Sequence, residues 1–468
     1  MNTAPSDAPM PPNMSAASGM SGAPRDASRS SSAALRHRFL PRRVVCMTAL
    51  RMFLVAMSLL AYKTLLPLRV LALVGGDAKA ASAWLERVVT AASACTLATT
   101  CWICAASDER GRRRGLVIVC LGAVADGVGC ALAPTVRWLR VVHSAAYAFG
   151  SAWALLALSF ASVGDVLRGS GGSPREVAVD FAFVESSIYA AVLIAPALSG
   201  LAAQRLGIPA AFLLAAGFAV VALVVCASME ETLAPKPPPA PWSAALVLRR
   251  SPLGAVLHFA ETRDRRVVGL ACFLHWLAMR GFEFLLPLVL KGLFHFSSAQ
   301  QGFVGSFAGA GAVASSVVLV RAITGDDVSL FKKFAAIGAA GLLLVAASGA
   351  LAPRRVVVFV AGAALYAMEA PANPALRAMV VDLRGDDDGL GFVLGAAAVL
   401  ETASQFVAAV VFGKVYAAMP GTTGFACAAA AMAASVVLVA LAFWNRPKPP
   451  PAADYRLLED PINGEVVI

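Results

Sequence analysis

Several ionisable side chains lie inside long apolar stretches of this sequence, where a charge is costly and therefore informative. They are Asp126, Glu185, His275, Arg280, Glu283, Glu369 and Glu401. Because the acids outnumber the bases, some of these carboxyl groups must meet water or hold a proton, and a carboxyl group that exchanges a proton could carry protons. Internal ion pairing is the alternative, with Arg280 and Glu283 as the obvious pair because they stand three residues apart. For Asp126 we favour a structural role.

A second set of chemically capable residues lies in SDERGRRRGL, residues 107–116, between two apolar stretches. An aspartate can accept hydrogen bonds at a helix N-terminus, a glycine allows a tight bend, and arginines reach neighbouring carboxylates. Asp108, Gly111, Arg112 and Arg113 therefore predict a turn that ties neighbouring segments together. Ordinary positive charge beside a membrane is the alternative.

The elements that position these residues are long apolar runs. The chain of 468 residues is 59% hydrophobic and only 14% charged, and runs of about the 20 residues needed to cross a bilayer recur along it. The runs lack the alternation of strands, and a helix satisfies its own backbone polar groups in lipid. We predict twelve transmembrane helices near 44–66, 88–106, 115–134, 141–161, 178–202, 208–228, 267–289, 298–320, 331–351, 355–378, 390–412 and 422–444.

The two sets of six runs look like copies of one unit. GDVLRG at 164–169 follows the fourth run, and VDLRG at 381–385 follows the tenth. A glutamate follows each motif, Glu185 after Asp165 and Glu401 after Asp382. The pattern predicts an all-α integral membrane protein with two pseudo-repeated six-helix bundles, the parallel-repeat plan of one transporter class.

Charge predicts the orientation of these runs. With both termini in the cytoplasm, 26 of the 39 basic residues fall in inner segments and 11 in outer loops, as the positive-inside rule requires. The +11 net charge follows from this bias and gives no reason to expect nucleic acid. We predict a disordered tail over 1–43, bundles over 44–228 and 267–445, a cytoplasmic loop over 229–266 and a tail over 446–468.

The loop and the tails carry further signals. KPPPAPW, Lys236 to Trp242, favours an extended connection, and the basic, Leu- and Val-containing stretch after it favours a helix on the inner leaflet. Asp454 to Leu458 fits a D-x-x-L-L sorting pattern, although such short patterns also arise by chance. Cys101 and Cys104 could form a redox or metal pair, but we favour buried packing because no second cysteine cluster accompanies them.

These motifs resemble those of the major facilitator superfamily over about residues 44–445. Cys104 to Leu116 is similar to the family signature G-x-L-a-D-r-x-G-R-r-x-x-l, with Cys104 in place of the first glycine. Arg140-Val-Val-His143-Ser144 is similar to the R-x-x-q-G pattern of drug–proton antiporters. The antiporter signature of the fifth helix falls on residues that are small, apart from a proline: Ala182, Ala191, Ala195, Pro196, Ser199 and Gly200. Met229 to Leu233 and PANPALRAMVVDLRG, residues 371–385, look closest to the tetracycline-resistance and hippocampus-abundant-transcript-like branch.

The resemblance implies a secondary active transporter of a small organic solute that works by alternating access, coupled to protons and running as an antiporter. The 107–114 turn would then be a gate latch, with Asp165 as part of it. Arg140, Glu185, Arg280, Glu283, Glu369 and Glu401 would line the substrate and proton pathway. Trp153, Trp276, Phe282 and Tyr366 could make the cavity partly aromatic.

Other classes of function remain as alternatives. A passive uniporter, or a non-transporting receptor or scaffold on the same frame, would use the same helices. The sequence has no Gly-rich phosphate loop and no H-E-x-x-H motif, so neither an enzyme nor an ATP-driven pump is expected. We expect no metal and no cofactor, a monomer in the lipid bilayer, and the plasma membrane or an endomembrane in preference to an organelle.

Overall fold

The helices follow from the apolar runs. The computed structural model describes residues 27–76, 78–150, 152–169, 174–233, 248, 250–296, 298–319, 326–351, 355–385, 389–419 and 421–443. These residues form helices and turns with no strand among them. In the first half the helices are α1 Ala27–Leu73, α2 Ala78–Arg110, α3 Arg112–Leu132, α4 Val136–Tyr147, α5 Ala152–Gly169, α6 Pro174–Leu206 and α7 Ile208–Ser228.

The second half repeats this order after a short helix, α8 Pro252–Ala260. It contains α9 Arg263–Gly292, α10 Ser298–Ala314, α11 Asp327–Ala347, α12 Arg355–Ala367, α13 Ala372–Asp382, α14 Leu390–Ala418 and α15 Thr423–Ala442. A π-helical turn, Ser315–Leu319, extends α10, and a 3₁₀ turn, Ser348–Ala350, extends α11.

Eleven helical spans of the described residues are long and apolar enough to cross a membrane. The remaining predicted run, 298–320, is α10 with its π-helical turn. The predicted fold class, an all-α membrane protein with twelve spans in two six-helix bundles, is confirmed. Glycines with positive φ make two of the tight turns between spans, Gly111 before α3 at φ 101° and Gly207 before α7 at φ 88°.

Two spans predicted as continuous are interrupted at corresponding places in the two halves. The fourth breaks between α4 and α5, where Gly150 has φ 90°. The tenth breaks between α12 and α13, where Glu369 and Pro371 occupy the turn. A proline has no backbone N–H to donate to a continuing helix, which favours the second break. Each break leaves a helix N-terminus inside the bundle.

The halves meet on two sides, through three helix pairs. On one side α6 packs on α10, and Gly309 lies so close that an added Cβ would come 2.6 Å from the backbone nitrogen of Leu193. On the other side α14 packs on α2 and α5. In α6 the predicted small positions Ala191 and Ala195 are buried, in agreement with close helix packing. Apolar cores lie in both halves, and two of them also include residues of the opposite half, such as Cys101 in the second-half core and Leu394 in a first-half core.

The segments outside the spans differ in part from the sequence expectation. Helix α1 begins at Ala27, inside the predicted disordered tail, because Ala, Leu and Arg in this stretch are good helix formers. Helix α8 buries Ala255, His258 and Phe259 and exposes Leu253, Val256 and Leu257, so its outward face is apolar and the helix lacks the polar face of the predicted amphipathic stretch. The KPPPAPW stretch, residues 1–26 and the tail with its sorting pattern lie outside the described residues.

Candidate functional site

At one end of the bundle the Asp108 side chain connects the two halves. Its carboxylate accepts hydrogen bonds from the backbone N–H groups of Gly391, at 3.0 Å, and Phe392, at 2.8 Å. Both N–H groups belong to the first turn of α14. The carbonyl groups of a helix do not satisfy the N–H groups of its first turn, and the helix dipole there also favours a negative charge. We call this end, with Asp108, Arg112, Asp165 and the start of α14, the latch end.

Arg112 holds that carboxylate in place. Its guanidinium lies 2.6 Å from Asp108 Oδ1 and, through Nε, 2.8 Å from Asp165 Oδ2, and the side chain is only 2% exposed. Asp165 comes from the GDVLRG motif after the fourth predicted run, so the sequence-predicted residues Asp108, Arg112 and Asp165 are brought together. One guanidinium between two carboxylates is a strong, directional arrangement.

The turn itself is fixed by Glu231. This carboxylate accepts hydrogen bonds from the backbone N–H groups of Arg112, at 2.8 Å, and Arg113, at 3.2 Å. A side chain at Gly111 would be strained at its positive φ, and its Cβ would come 2.3 Å from Glu231. The Arg113 side chain is exposed and reaches only the carbonyl oxygen of Met229. Arg113 thus contributes its backbone to the turn, and Arg112 supplies the cation.

Cys104 stands where the family signature has a glycine. The small residue that lets α2 and α14 approach each other closely at this point is Gly395 of α14. A Cβ on Gly395 of α14 would come 2.5 Å from the Cβ of Cys104. The Cys104 thiol is fully buried under the latch, and Cys101 is also buried. Both cysteines pack as small apolar groups in the interface between α2 and α14.

A second cluster of charges lies deeper in the bundle, centred on Glu401 of α14. Arg280 of α9 donates to Oε1 at 2.7 Å, and Arg377 of α13 donates to Oε2 at 2.6 Å. All three side chains are almost completely buried. The two guanidinium groups bind one oxygen each, and the carboxylate compensates two buried cations.

The cluster extends to the first half through Glu283. Its carboxylate lies 2.6 Å from Arg280 and 3.0 Å from Lys63 of α1, and both Glu283 and Lys63 are about two-fifths exposed. The Arg280 guanidinium stacks 4.1 Å from the ring centre of Trp153, at the start of α5. Trp153 donates its indole N–H to Gln405 of α14 at 3.1 Å. Charged and aromatic groups from both halves therefore meet at the break between α4 and α5.

A polar chain reaches the other break. Tyr189 of α6 donates to Glu185 Oε1 at 3.1 Å and also lies 3.2 Å from the Ala370 carbonyl oxygen, and Asn373 of α13 lies 3.5 Å from the same hydroxyl. The second oxygen of Glu185 is buried without a hydrogen-bond partner among the described residues. Glu185 differs from Glu401 in that none of its described hydrogen bonds comes from a cation.

Glu369 occupies the break between α12 and α13 itself. Its Oε2 lies 3.2 Å from His275 Nε2, but the angles do not make a hydrogen bond, so both atoms remain without one. Both side chains are buried, at 4% and 0% exposure. A buried carboxyl group and an imidazole thus lie in contact without a described hydrogen bond between them.

The structure places four of the six predicted pathway residues at the interface between the halves, namely Glu185, Arg280, Glu283 and Glu401, whereas Glu369 lies beside His275 and Gly338 of the second half. Arg140 lies exposed on α4, and no described hydrogen bond or ion pair connects it to the cluster. The buried member of its motif is His143, which lies 2.7 Å from Asp126.

Sequence reasoning missed Arg377 and Lys63. Arg377 stands near the predicted end of its run and was counted among the inner loop charges, but α13 continues to Asp382 and buries it. Lys63 was counted as an outer loop charge although it lies inside the predicted run 44–66, and α1 continues past it to Leu73. Arg377 likewise lies inside the predicted run 355–378, so the position of each residue within a run was the available signal.

Comparisons with known proteins agree with this architecture. The human organic anion transporter MFSD10 (TETRAN) superposes with a TM-score of 0.72 at 21% identity over 85% of this chain and 99% of that one. The proton:xylose symporter XylE, solved with 6-bromo-6-deoxy-D-glucose, superposes with a TM-score of 0.65 at 14% identity over 88% and 96%. At these identities the likeness shows the fold alone. No curated protein sequence matches the chain. Residues 47–326, more than half of the chain, match the sequence model of the Major Facilitator Superfamily. With the twelve spans in two halves, this match shows that the chain belongs to the Major Facilitator Superfamily and is a multi-pass membrane transporter.

Proposed function

We propose that this transporter moves a small organic solute by alternating access and couples the movement to protons. The observation that carries the proposal is a set of buried carboxyl groups in and next to the interface between the halves. Arginines bind some of these groups and do not bind others. Organic anion transport and proton–xylose symport, the activities named for the two structural neighbours, belong to the same general class. Antiport is the direction that the resemblance to the drug–proton branch implies.

The carboxyl groups differ in their contacts, and these differences bear on which group could carry a proton. A carrier must be able to become neutral, and neutralising Glu401 would leave Arg280 and Arg377 buried with less compensating charge. Glu283 likewise has Arg280 and Lys63 within 3.0 Å. Glu369 has an imidazole as its near partner and Glu185 has a tyrosine hydroxyl, so neither has an arginine among its described partners, and each has one buried oxygen without a described hydrogen bond. We therefore place Glu369 first among the predicted carriers, and Glu185 beside it.

Alternating access would use the latch. Where Asp108 binds the first turn of α14, the two halves are in contact at the latch end. Opening that end requires these two hydrogen bonds to break. The exposure of Lys63 and Glu283, which pair across the halves, leaves the charged cluster accessible toward the opposite end. Movement of one half against the other would then expose the cluster to each side in turn.

The test uses purified protein in liposomes with a pH-sensitive dye inside, after thermal-shift screening against a metabolite and drug panel has supplied a solute. Glutamine mimics the protonated acid, so Glu369→Gln should abolish accumulation driven by a pH gradient and still allow exchange of solute. Glu86→Gln, at an exposed position of α2, is the matched control and should behave as the wild type.

Two results would contradict the coupling. If wild-type accumulation does not change when the gradient is collapsed, a passive uniporter takes the place of the proposal. If Glu369→Gln, Glu185→Gln, Glu283→Gln and Glu401→Gln all retain gradient-driven accumulation, the proton is carried elsewhere. A chain that moves none of the solutes it binds would favour a receptor or scaffold.

A further inference from the structure

Asp126, Cys130 and His143 form a buried cluster away from the charged interface between the halves. Asp126 and Cys130 stand four residues apart on α3, so they share one helix face, and His143 reaches them from α4. His143 Nδ1 lies 2.7 Å from Asp126 Oδ1, and the Cys130 thiol lies 3.2 Å from the same oxygen. One oxygen, one nitrogen and one sulfur atom thus lie within 4.8 Å of one another.

The second Asp126 oxygen points to a missing partner. Oδ2 is buried and has no hydrogen-bond partner among the described residues, although Asp126 is only 1% exposed. Asp126 also lines a cavity of about 10 Å³ together with Ala123, Tyr147 and Gly150. A space of about this size holds one water molecule. An unbonded carboxylate oxygen beside such a space can bind an additional small polar species.

The donor set fits a borderline transition metal. Imidazole nitrogen, thiolate sulfur and carboxylate oxygen are the ligands that Zn²⁺ takes, at about 2.0–2.3 Å, and three protein ligands with one water make an open tetrahedral site. In that geometry neighbouring ligand atoms are about 3.3–3.6 Å apart. The two contacts, at 2.7 and 3.2 Å, therefore have to lengthen by roughly half an ångström, which small side-chain rotations supply.

Charge balance and access also favour a divalent ion. With a carboxylate and a thiolate, a divalent cation forms a neutral group, which removes most of the cost of burying the ion. Arg69 is already engaged at this end of α3, where its guanidinium donates to the carbonyl oxygens of Ala131 and Ala133 at 3.2 and 2.8 Å. Cys130 is two residues from the end of α3 at Leu132, and a helix rises 1.5 Å per residue, so the cluster is within about 10 Å of that end.

We propose that Asp126, Cys130 and His143 form a Zn²⁺-binding site that links α3 to α4. On binding, the Cys130 thiol releases its proton to water, His143 coordinates through Nδ1 with its proton on Nε2, and Asp126 supplies a carboxylate oxygen. Water in the adjacent cavity completes the coordination. The Tyr147 ring, 4.5 Å from the imidazole, fixes the orientation of His143. The site is independent of the proton-coupled transport proposed above.

The experiment uses the purified full-length protein, stripped with a chelator and titrated with Zn²⁺ alone and with Co²⁺ alone. One equivalent of Zn²⁺ should bind and raise the unfolding temperature, and Co²⁺ should give the charge-transfer absorption of a cobalt–thiolate bond. In Cys130→Ala that absorption and the temperature shift should be lost, and in His143→Gln the bound metal should fall well below one equivalent. Cys272→Ala, a buried cysteine in the second half, is the control and should keep the full signal.

The proposal is overturned if the wild type binds less than one equivalent of either metal. It is also overturned if Cys130→Ala keeps the cobalt–thiolate absorption, because the metal is then held by another cysteine, such as those of the Cys120–Cys226 contact. Unfolding temperatures in the absence of metal show whether each variant is folded, and Asp126→Asn provides a second variant that retains shape and hydrogen bonding.

Discussion

At the scale of single residues, the cluster around Glu401 behaves as one electrostatic unit. Removing one partner of a buried pair leaves an uncompensated charge, at a cost of about 3–5 kcal/mol. We expect Glu401→Gln to destabilise the protein by that amount, because Arg377 loses its described carboxylate partner. Glu283→Gln should cost much less, since Glu283 is 42% exposed at its side chain. Unfolding in detergent, measured for both variants, checks the difference, and equal costs would contradict it.

The sequence identified some of these residues for a clear physical reason. A charge such as Glu401 inside an apolar run is visible without any structure, and its partner Arg280 was visible in the same way. Arg377 was not, because a charge near the end of a run is read as a loop charge. The cluster at Asp126 could be predicted only in part. The four-residue spacing of Asp126 and Cys130 can be read in the sequence, but His143 comes close to them only because the turn between α3 and α4 folds the chain back.

At the scale of helices, the latch is a contact between a carboxylate and a helix N-terminus. Hydrogen bonds to a charged group contribute about 1.5–3 kcal/mol, so losing the Asp108 charge should shift the equilibrium toward an open latch end roughly ten- to hundredfold. We expect Asp108→Asn to transport more slowly and to expose Cys104, which is buried in the closed contact, to maleimide labelling. Labelling mapped by mass spectrometry checks this.

Arg114→Ala is the matched control for the latch, because Arg114 lies in the same turn and is exposed. It removes one charge and should leave both transport and Cys104 labelling unchanged. If Asp108→Asn also transports at the wild-type rate with Cys104 still protected, the charges of this turn serve only to orient the chain in the membrane. Membrane expression of each variant separates a loss of function from a loss of protein.

Helix existence followed from the sequence, and helix interruptions did not. Apolar residues continue through 141–161 and through 355–378, so hydrophobicity alone predicts one unbroken span in each place. The breaks at Gly150 and at Glu369 place side chains and helix termini in the interface between halves, which depends on packing across more than 100 residues of chain. Pro371 and Pro374 were the local signal for the second break, and Gly150 alone is a weak signal for the first.

At the scale of the whole molecule, the basic residues orient the spans. Arg377 and Lys63 move from opposite loop groups into helices, so the predicted excess of basic residues at the latch end remains. That excess predicts that the latch end, the segment 229–266 and both tails all lie on the cytoplasmic side of the membrane.

We expect an N-glycosylation acceptor introduced at 235–241 to remain unmodified in cells. An acceptor with a spacer at the Val74–Gly76 turn, between α1 and α2, should be modified. Gel shifts that disappear on glycosidase treatment distinguish the two. Modification at 235–241, with none at the turn, would reverse the orientation. The latch would then close the outer gate, and the accessible charged cluster would face the cytoplasm.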